Sequence, residues 1–202
     1  MIEIKNMTKS FDEKILFKDF NLIINDGEFV VFTGKSGCGK STILNIIGGL
    51  ERVDKGSMLV DGVDICKRVN KKRYFSDCVN FLFQNFALVE SKTVKENLNM
   101  IPKKSRENIS IKEALESVGI ADKIDTKVYK LSGGEQQRVA LARVILKKCK
   151  IILADEPTGS LDNENAQVVL NTLLEMNRKG KTVVLVTHNL NIIPKESRVI
   201  NL

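Results

Sequence analysis

The chain has 202 residues, 43% hydrophobic and 28% charged, with a formal net charge of +7. That composition suits one globular core with a smaller appendage, and no apolar run approaches the ~20 residues a membrane-spanning helix needs. The opening MIEIKNMTKSF alternates apolar and polar side chains and lacks the apolar stretch of a signal peptide, so the expected location is the cytoplasm.

In chain order, strands are predicted over Ile2–Met7, Ile15–Phe17, Phe20–Ile24 and Phe29–Thr33, with Asp26-Gly27 as a tight-turn signal. Phe29-Val30-Val31-Phe32 is apolar on both faces, as a central parallel strand must be. A helix over Ser41–Leu50 turns Ile43, Leu44, Ile46 and Ile47 inward, and a strand follows at Ser57–Val60. Val79–Phe83 reads as a strand running into Gln84. From about Phe86 to Ala140 the pattern turns polar, lysine-rich and helical; Ser110-Ile111-Lys112-Glu113 forms a capping box and Gly119 a stop. The α/β rhythm returns with a strand at Ile151–Ala154, a helix over Asn163–Lys179 ended by Gly180, and strands at Val183–Val186 and Arg198–Leu202. The expected fold is therefore α/β: a mainly parallel sheet core (1–85 and 141–202) with an N-terminal antiparallel β subdomain and an inserted helical subdomain at about 86–140, all one domain.

Two motifs are built for anions. Gly34-Lys35-Ser36-Gly37-Cys38-Gly39-Lys40-Ser41 fits G-x-x-x-x-G-K-[ST] between a predicted strand and helix. Glycines let the loop amides wrap phosphates, Lys40 reaches the outer phosphates, the Ser41 hydroxyl suits Mg²⁺, and Thr42 is placed near an inner phosphate. The second is Leu131–Arg138, LSGGEQQR, a hydroxyl and two glycines at a helix start. With a better cradle already present, that second site points to a nucleotide held elsewhere.

Asp155 and Glu156 close an apolar strand, where α/β proteins bind ligands; Asp155 suits Mg²⁺ and Glu156 the polarising of an attacking water. Solvated acids at a strand end are the bland alternative. Taken alone, His188, the one histidine, reads as a structural residue, and Gln84 as a surface amide. Both gain weight from lying at strand ends on the phosphate edge.

Cys38, Cys66, Cys78 and Cys149 form no CxxC pair, so reduced, mostly buried thiols are expected rather than a zinc site or disulfides. The clusters Lys67-Arg68, Lys71-Lys72-Arg73 and Lys103-Lys104-Ser105-Arg106 lack interleaved aromatics and read as solvated surface, so no nucleic-acid partner is expected.

Phe11, the phosphate loop, Gln84, LSGGEQQR, Asp155-Glu156, Ser160-Leu161-Asp162 and His188, in this order, resemble the nucleotide-binding subunit of an ABC transporter across essentially the whole chain. The resemblance implies ATP and Mg²⁺ as cofactors, ATP hydrolysis, a second copy of the chain and a separate transmembrane permease subunit as partners, and attachment to the inner membrane face through that permease. It implies that Phe11 stacks on adenine, although many relatives carry tyrosine, and that Gly34–Thr42 (Gly34, Lys35, Ser36, Gly37, Cys38, Gly39, Lys40, Ser41, Thr42) bind nucleotide. Lys40, Gln84, Glu156 and His188 are the implied catalytic set, with Ser41, Gln84 and Asp155 at the metal. Ser132, Gly133, Gly134 and Glu135 would serve the other copy's nucleotide, and Ser160 and Asp162 would cross the dimer interface. Cys38 stands where serine is frequent in the resembling family; its amide still serves, and thiol sensitivity is the expectation the replacement raises. Glu156–Asp162, Phe83–Phe86 and Glu96-Asn97 are similar to the branch of lipoprotein release, macrolide and antimicrobial-peptide efflux and bacteriocin export. The short chain, ending on a strand with no further regulatory domain expected, favours peptide or bacteriocin export; a signalling ATPase of cell-division type is the alternative. A DNA-repair ATPase would separate the two anion motifs by long coiled coils, whereas about ninety residues without sustained heptads lie between Lys40 and Ser132. Phe86, Leu88 and Val89 are expected either to touch the permease or to join the helical core.

Overall fold

In the computed structural model, which describes residues 1–159, 161–190 and 193–202 (Arg68 by its backbone alone), the strands sort into two sheets. The predicted Ser160 position lies outside the described residues. Strands β1 (Ile2–Phe11), β2 (Lys14–Ile24), β4 (Lys55–Val60) and β5 (Val63–Asp64) form an antiparallel sheet in the order β2-β1-β4-β5. Strands β3 (Phe29–Thr33), β6 (Val79–Leu82), β7 (Ile151–Asp155), β8 (Thr182–Val186) and β9 (Arg198–Asn201) form a parallel sheet in the order β6-β7-β8-β3-β9.

Every residue of β3 and β8 is buried, which explains why those strands lack polar alternation. Successive side chains then feed two cores. Val30, Phe32, Leu153, Val184 and Val186 pack with Ile43, Leu44, Ile46 and Ile47 of helix α1 (Lys40–Ile47) and with Ile2, Ile4 and Met58 of the antiparallel sheet. Phe29, Val31, Ile152, Ala154, Val183 and Leu185 pack on the other face with helices α5 (Gly133–Leu146) and α6 (Asn163–Arg178). Val94 and Leu98 of α3 (Val94–Asn99) and Ala114 and Leu115 of α4 (Ile111–Glu116) join that same core. At ~1.5–3 kcal/mol for each large aliphatic side chain withdrawn from water, these two layers are the main stabilising term. The chain after α1 passes so close to β6 that a Cβ on Gly48 would sit 2.0 Å from Phe81 Cζ, so glycine is required there.

Three elements differ from expectation. The two predicted strands at 15–17 and 20–24 are one strand, β2, with Asp19 in the left-handed region at φ 50. Asn21 stitches this irregularity, donating from Nδ2 to the Asp19 carbonyl at 2.8 Å and accepting from the Asn6 amide at 2.9 Å. Sequence reading missed helix α2 (Arg68–Arg73) and the π-helical turn Tyr74–Cys78 that follows it. Helix α5 runs unbroken from Gly133 to Leu146, across residue 140. The thiols also depart from the expected burial: Cys149 alone is buried, Cys38 and Cys78 are intermediate, and Cys66 is exposed. Among the described residues no helix is long and apolar enough to cross a membrane.

Candidate active site

Because the second sheet is parallel, the carboxyl ends of its strands share one edge. Leu82 is opposite Ala154, Asp155 opposite Val186, and Val186 opposite Phe32. The loops bearing Gln84, Asp155-Glu156, Thr187-His188 and Gly34 therefore all leave from that edge, where a doubly wound sheet binds ligands.

The loop after β3 is shaped by its glycines. Gly34, Gly37 and Gly39 have φ of 140, 76 and 105. A Cβ on Gly34 would lie 2.8 Å from both Cys38 Sγ and the Leu202 carbonyl oxygen, and one on Gly39 would lie 2.7 Å from Phe17 Cζ. Helix α1 starts at Lys40 with no side-chain cap at Gly39 and no acidic residue in its first turn. Its first amides thus have neither an intrahelical acceptor nor a capping side chain, which fits a phosphate group. Lys40 folds back over the loop, donating from Nζ to the carbonyls of Gly34 at 3.0 Å and Lys35 at 2.9 Å.

Ser41 Oγ donates to Asp155 Oδ1 at 3.0 Å, joining the start of α1 to the end of β7. A hydroxyl and a carboxylate oxygen so placed are hard donors suited to Mg²⁺, which takes few protein ligands and keeps its remaining positions for phosphate and water. Burial is the largest influence on the Asp155 carboxyl and pushes its pKa up, helped by the adjacent Glu156 charge; the Ser41 hydrogen bond and Lys40 pull it back.

Glu156 adopts a left-handed φ of 43, and its amide donates to the Val186 carbonyl at 3.0 Å. That turn aims its carboxylate at His188: Oε2 lies 2.9 Å from Nδ1 and accepts from the His188 amide at 3.3 Å. The Glu156 side chain is 15% exposed and that of His188 68%. Together with Phe11, Lys14, Leu16, Ser36, Gly37, Gly39, Lys40, Ser41 and Thr42, Glu156 lines a cleft of about 420 Å³. Phe11 is 45% exposed, and the Lys9 ammonium sits 4.5 Å from its ring centroid. One ring face is thereby engaged by a cation, leaving the other for a flat aromatic ligand. Sequence reading missed Lys9, whose own ion pair with Glu51 at 2.9 Å holds it there.

Among the predicted residues, Gly34, Lys35, Cys38, Asp155, His188 and Asp162 do not line this cleft, and neither do two further groups. Gln84 is exposed in the turn after β6 and does not line it. Ser132, Gly133, Gly134 and Glu135 do not line it either. Ser132 caps α5, its Oγ accepting the Glu135 amide at 3.3 Å while Glu135 Oε2 accepts the Ser132 amide at 2.7 Å. Asp162 caps α6, accepting the Asn165 amide at 2.8 Å. Of the hydrophobic residues after Gln84, Phe86 and Leu88 pack against the core, while Val89 is exposed.

The pattern of the family described as ABC transporter matches residues 17–159. The macrolide export ATP-binding/permease protein MacB of Campylobacter jejuni is 38% identical over 209 residues, covering all of this chain and 33% of MacB. The methionine import ATP-binding protein MetN of Clostridium acetobutylicum is 42% identical over 202 residues, covering 96% of this chain and 62% of MetN. Among solved structures, the dimeric post-hydrolysis state of the ATP-binding cassette MJ0796 bound to ADP and Pi matches with a TM-score of 0.87 at 36% identity, covering 100% of this chain and 94% of that one.

Proposed function

Because this chain belongs to the ABC transporter family, as its Mg²⁺-dependent ATP-binding and ATP-hydrolysing component, we propose that it drives export of a peptide, bacteriocin or antimicrobial compound through a separate permease subunit. The division of the anion motifs carries the two-copy part of this reading: one phosphate cradle lines the cleft, and the Ser132 helix start lies outside it. Two copies packed head to tail would bring each Ser132-Gly133-Gly134 over the partner's cleft, an isologous arrangement that closes as a dimer. The likeness to the dimeric MJ0796 cassette supports it.

Within one site, Phe11 holds the base and the amides of Gly34–Thr42 the phosphates. Lys40 exchanges the Gly34 and Lys35 carbonyls for phosphate oxygens. Ser41, Asp155 and Gln84 would hold Mg²⁺, which neutralises charge developing on the phosphates. Glu156 takes the proton of the attacking water, and His188, freed from Glu156, donates toward the terminal phosphate. Asp162 would lie at the dimer interface. The segment at about 86–140 moves as a lever on the core, and the chain sits on the cytoplasmic membrane face by way of the permease. The permease seat we favour is the groove of about 390 Å³ lined by Phe75, Met100, Ile101, Pro102 and Lys147 among others, since Phe86 and Leu88 are committed to the core.

Export is favoured by the likeness to MacB over the whole chain, and the likeness to MetN supports import as the second reading. Two experiments test these proposals. Mixing Lys40→Ala with Ser132→Arg subunits, each inactive alone, restores ATP hydrolysis through the one intact composite site of the mixed dimer; silence at every ratio refutes shared sites. Identification of the copurifying membrane protein decides between exporter, importer and a signalling complex of cell-division type.

A further inference from the structure

Helix α5 starts at the Ser132 cap, and three of its side chains tie it to other segments of the chain: the turn after Glu156, the start of α6 and the loop after Gln84. Gln137 Nε2 donates to the Pro157 carbonyl at 2.7 Å, one residue past Glu156. Arg138 Nε donates to Asn165 Oδ1 at 2.9 Å, and the Asn165 side-chain amide donates to the Asp162 carboxylate at 2.8 Å. Arg143 donates from Nη2 to the Phe86 carbonyl at 2.7 Å and from Nη1 to the Ala87 carbonyl at 2.5 Å.

The last tie is the most unusual. Phe86 and Ala87 both sit in the left-handed region, at φ 60 and 48, which an L-residue with a bulky side chain rarely adopts. Two successive carbonyls are thereby turned toward one point, where a planar guanidinium donates to each from a separate nitrogen in a fixed fork. Asn97 anchors the same loop from its far side, accepting the Val89 amide at 2.8 Å and donating to the Val89 carbonyl at 3.1 Å. Gln84 lies at the head of this loop.

We propose that Arg143 is a positioning residue that locks the loop carrying Gln84 to the helix carrying Ser132, so that one edge of each composite site moves with the opposite edge of the other. Gln84 serves the nucleotide on its own chain and Ser132 the nucleotide on the partner, so the fork makes the two sites respond together. The inference rests on the two-copy reading above.

The test uses the full chain in a Glu156→Gln background, where ATP-driven dimers accumulate. Arg143→Lys and Arg143→Met, admitted only if their melting curves remain cooperative, retain the monomer's affinity for a fluorescent ATP analogue. Arg143→Met should require about tenfold or more higher protein concentration for ATP-driven dimerisation, a loss within the usual span of coupling between sites, and Arg143→Lys, which can still donate to both carbonyls, a smaller increase. Native-like dimerisation in the folded Arg143→Met variant overturns the proposal. Failure of the Glu156→Gln parent itself to dimerise with ATP sinks the two-copy reading, and the proposal with it. Should Arg143→Met unfold, hydrogen exchange on the native chain decides: ATP must change protection of the Ala87 and Val89 amides together with those of Glu135 and Gln136. A change confined to one group refutes the lock.

Discussion

Replacing Glu156 by glutamine separates chemistry from folding more cleanly than any other substitution in the site. The variant keeps shape and volume and removes one negative charge. The folding cost is small: the carboxylate's partner, His188, has a side chain 68% exposed, and solvent screening limits such a pair to at most ~1 kcal/mol. The left-handed φ of 43 is equally available to glutamine, and a side-chain amide oxygen still accepts from the His188 amide. The cost to hydrolysis is larger, because a positioned general base contributes about 10²–10⁴-fold, or ~3–5 kcal/mol of barrier. Single-turnover hydrolysis with enzyme in excess should fall by that factor while ATP affinity is retained, and sedimentation should show a dimer that persists as long as ATP does. A rate within about tenfold of the native chain, with ATP bound, would remove Glu156 as the base and return the role to another group on the sheet edge.

Lys40→Ala should abolish most ATP binding, measured by equilibrium titration of a fluorescent analogue; unchanged affinity would defeat the phosphate-loop assignment. Asp155→Asn carries a signed pH dependence. Burial raises the native pKa of Asp155 above its unfolded value, so the nucleotide-free chain loses stability as pH climbs through the interval between them, and the loss is complete above the native pKa. The asparagine variant lacks that loss. It should melt above the native chain at pH 7 without nucleotide, the gap closing in acid, and should gain less from Mg²⁺ with ATP; a lower melting point at pH 7 would contradict the burial argument.

The phosphate loop and the buried strands were legible because their signals are local: glycines at fixed spacing, then an apolar run of strand length. The stretch from Lys67 to Cys78 gave no such signal, since Val69 is exposed and lysines surround it. Its helical turns are held from afar, by Tyr74 Oη donating to the Ile47 carbonyl at 2.7 Å and by Lys147 Nζ donating to the carbonyls of Phe75 and Val79. The Arg143 fork was equally hidden, because its acceptors lie more than fifty residues away and are backbone atoms. Gln84 shows the converse limit: its strand places it on the edge that also bears Asp155 and His188, and none of the three is among the residues that line the cleft.

The cap at Ser132 has one more consequence. A serine hydroxyl carries one hydrogen and two lone pairs, and the helix start uses a lone pair, with the Glu135 amide as donor. Among the described residues the hydrogen meets no acceptor, so in the proposed dimer it is left for the partner's nucleotide, one oxygen answering to two molecules through different halves of itself. Aspartate at this position would satisfy the helix as well as serine does. Facing a partner's phosphate it would offer no hydrogen and a like charge. A chain so altered would fold, melt and bind ATP as the native one does, and its defect would become visible only when two copies meet.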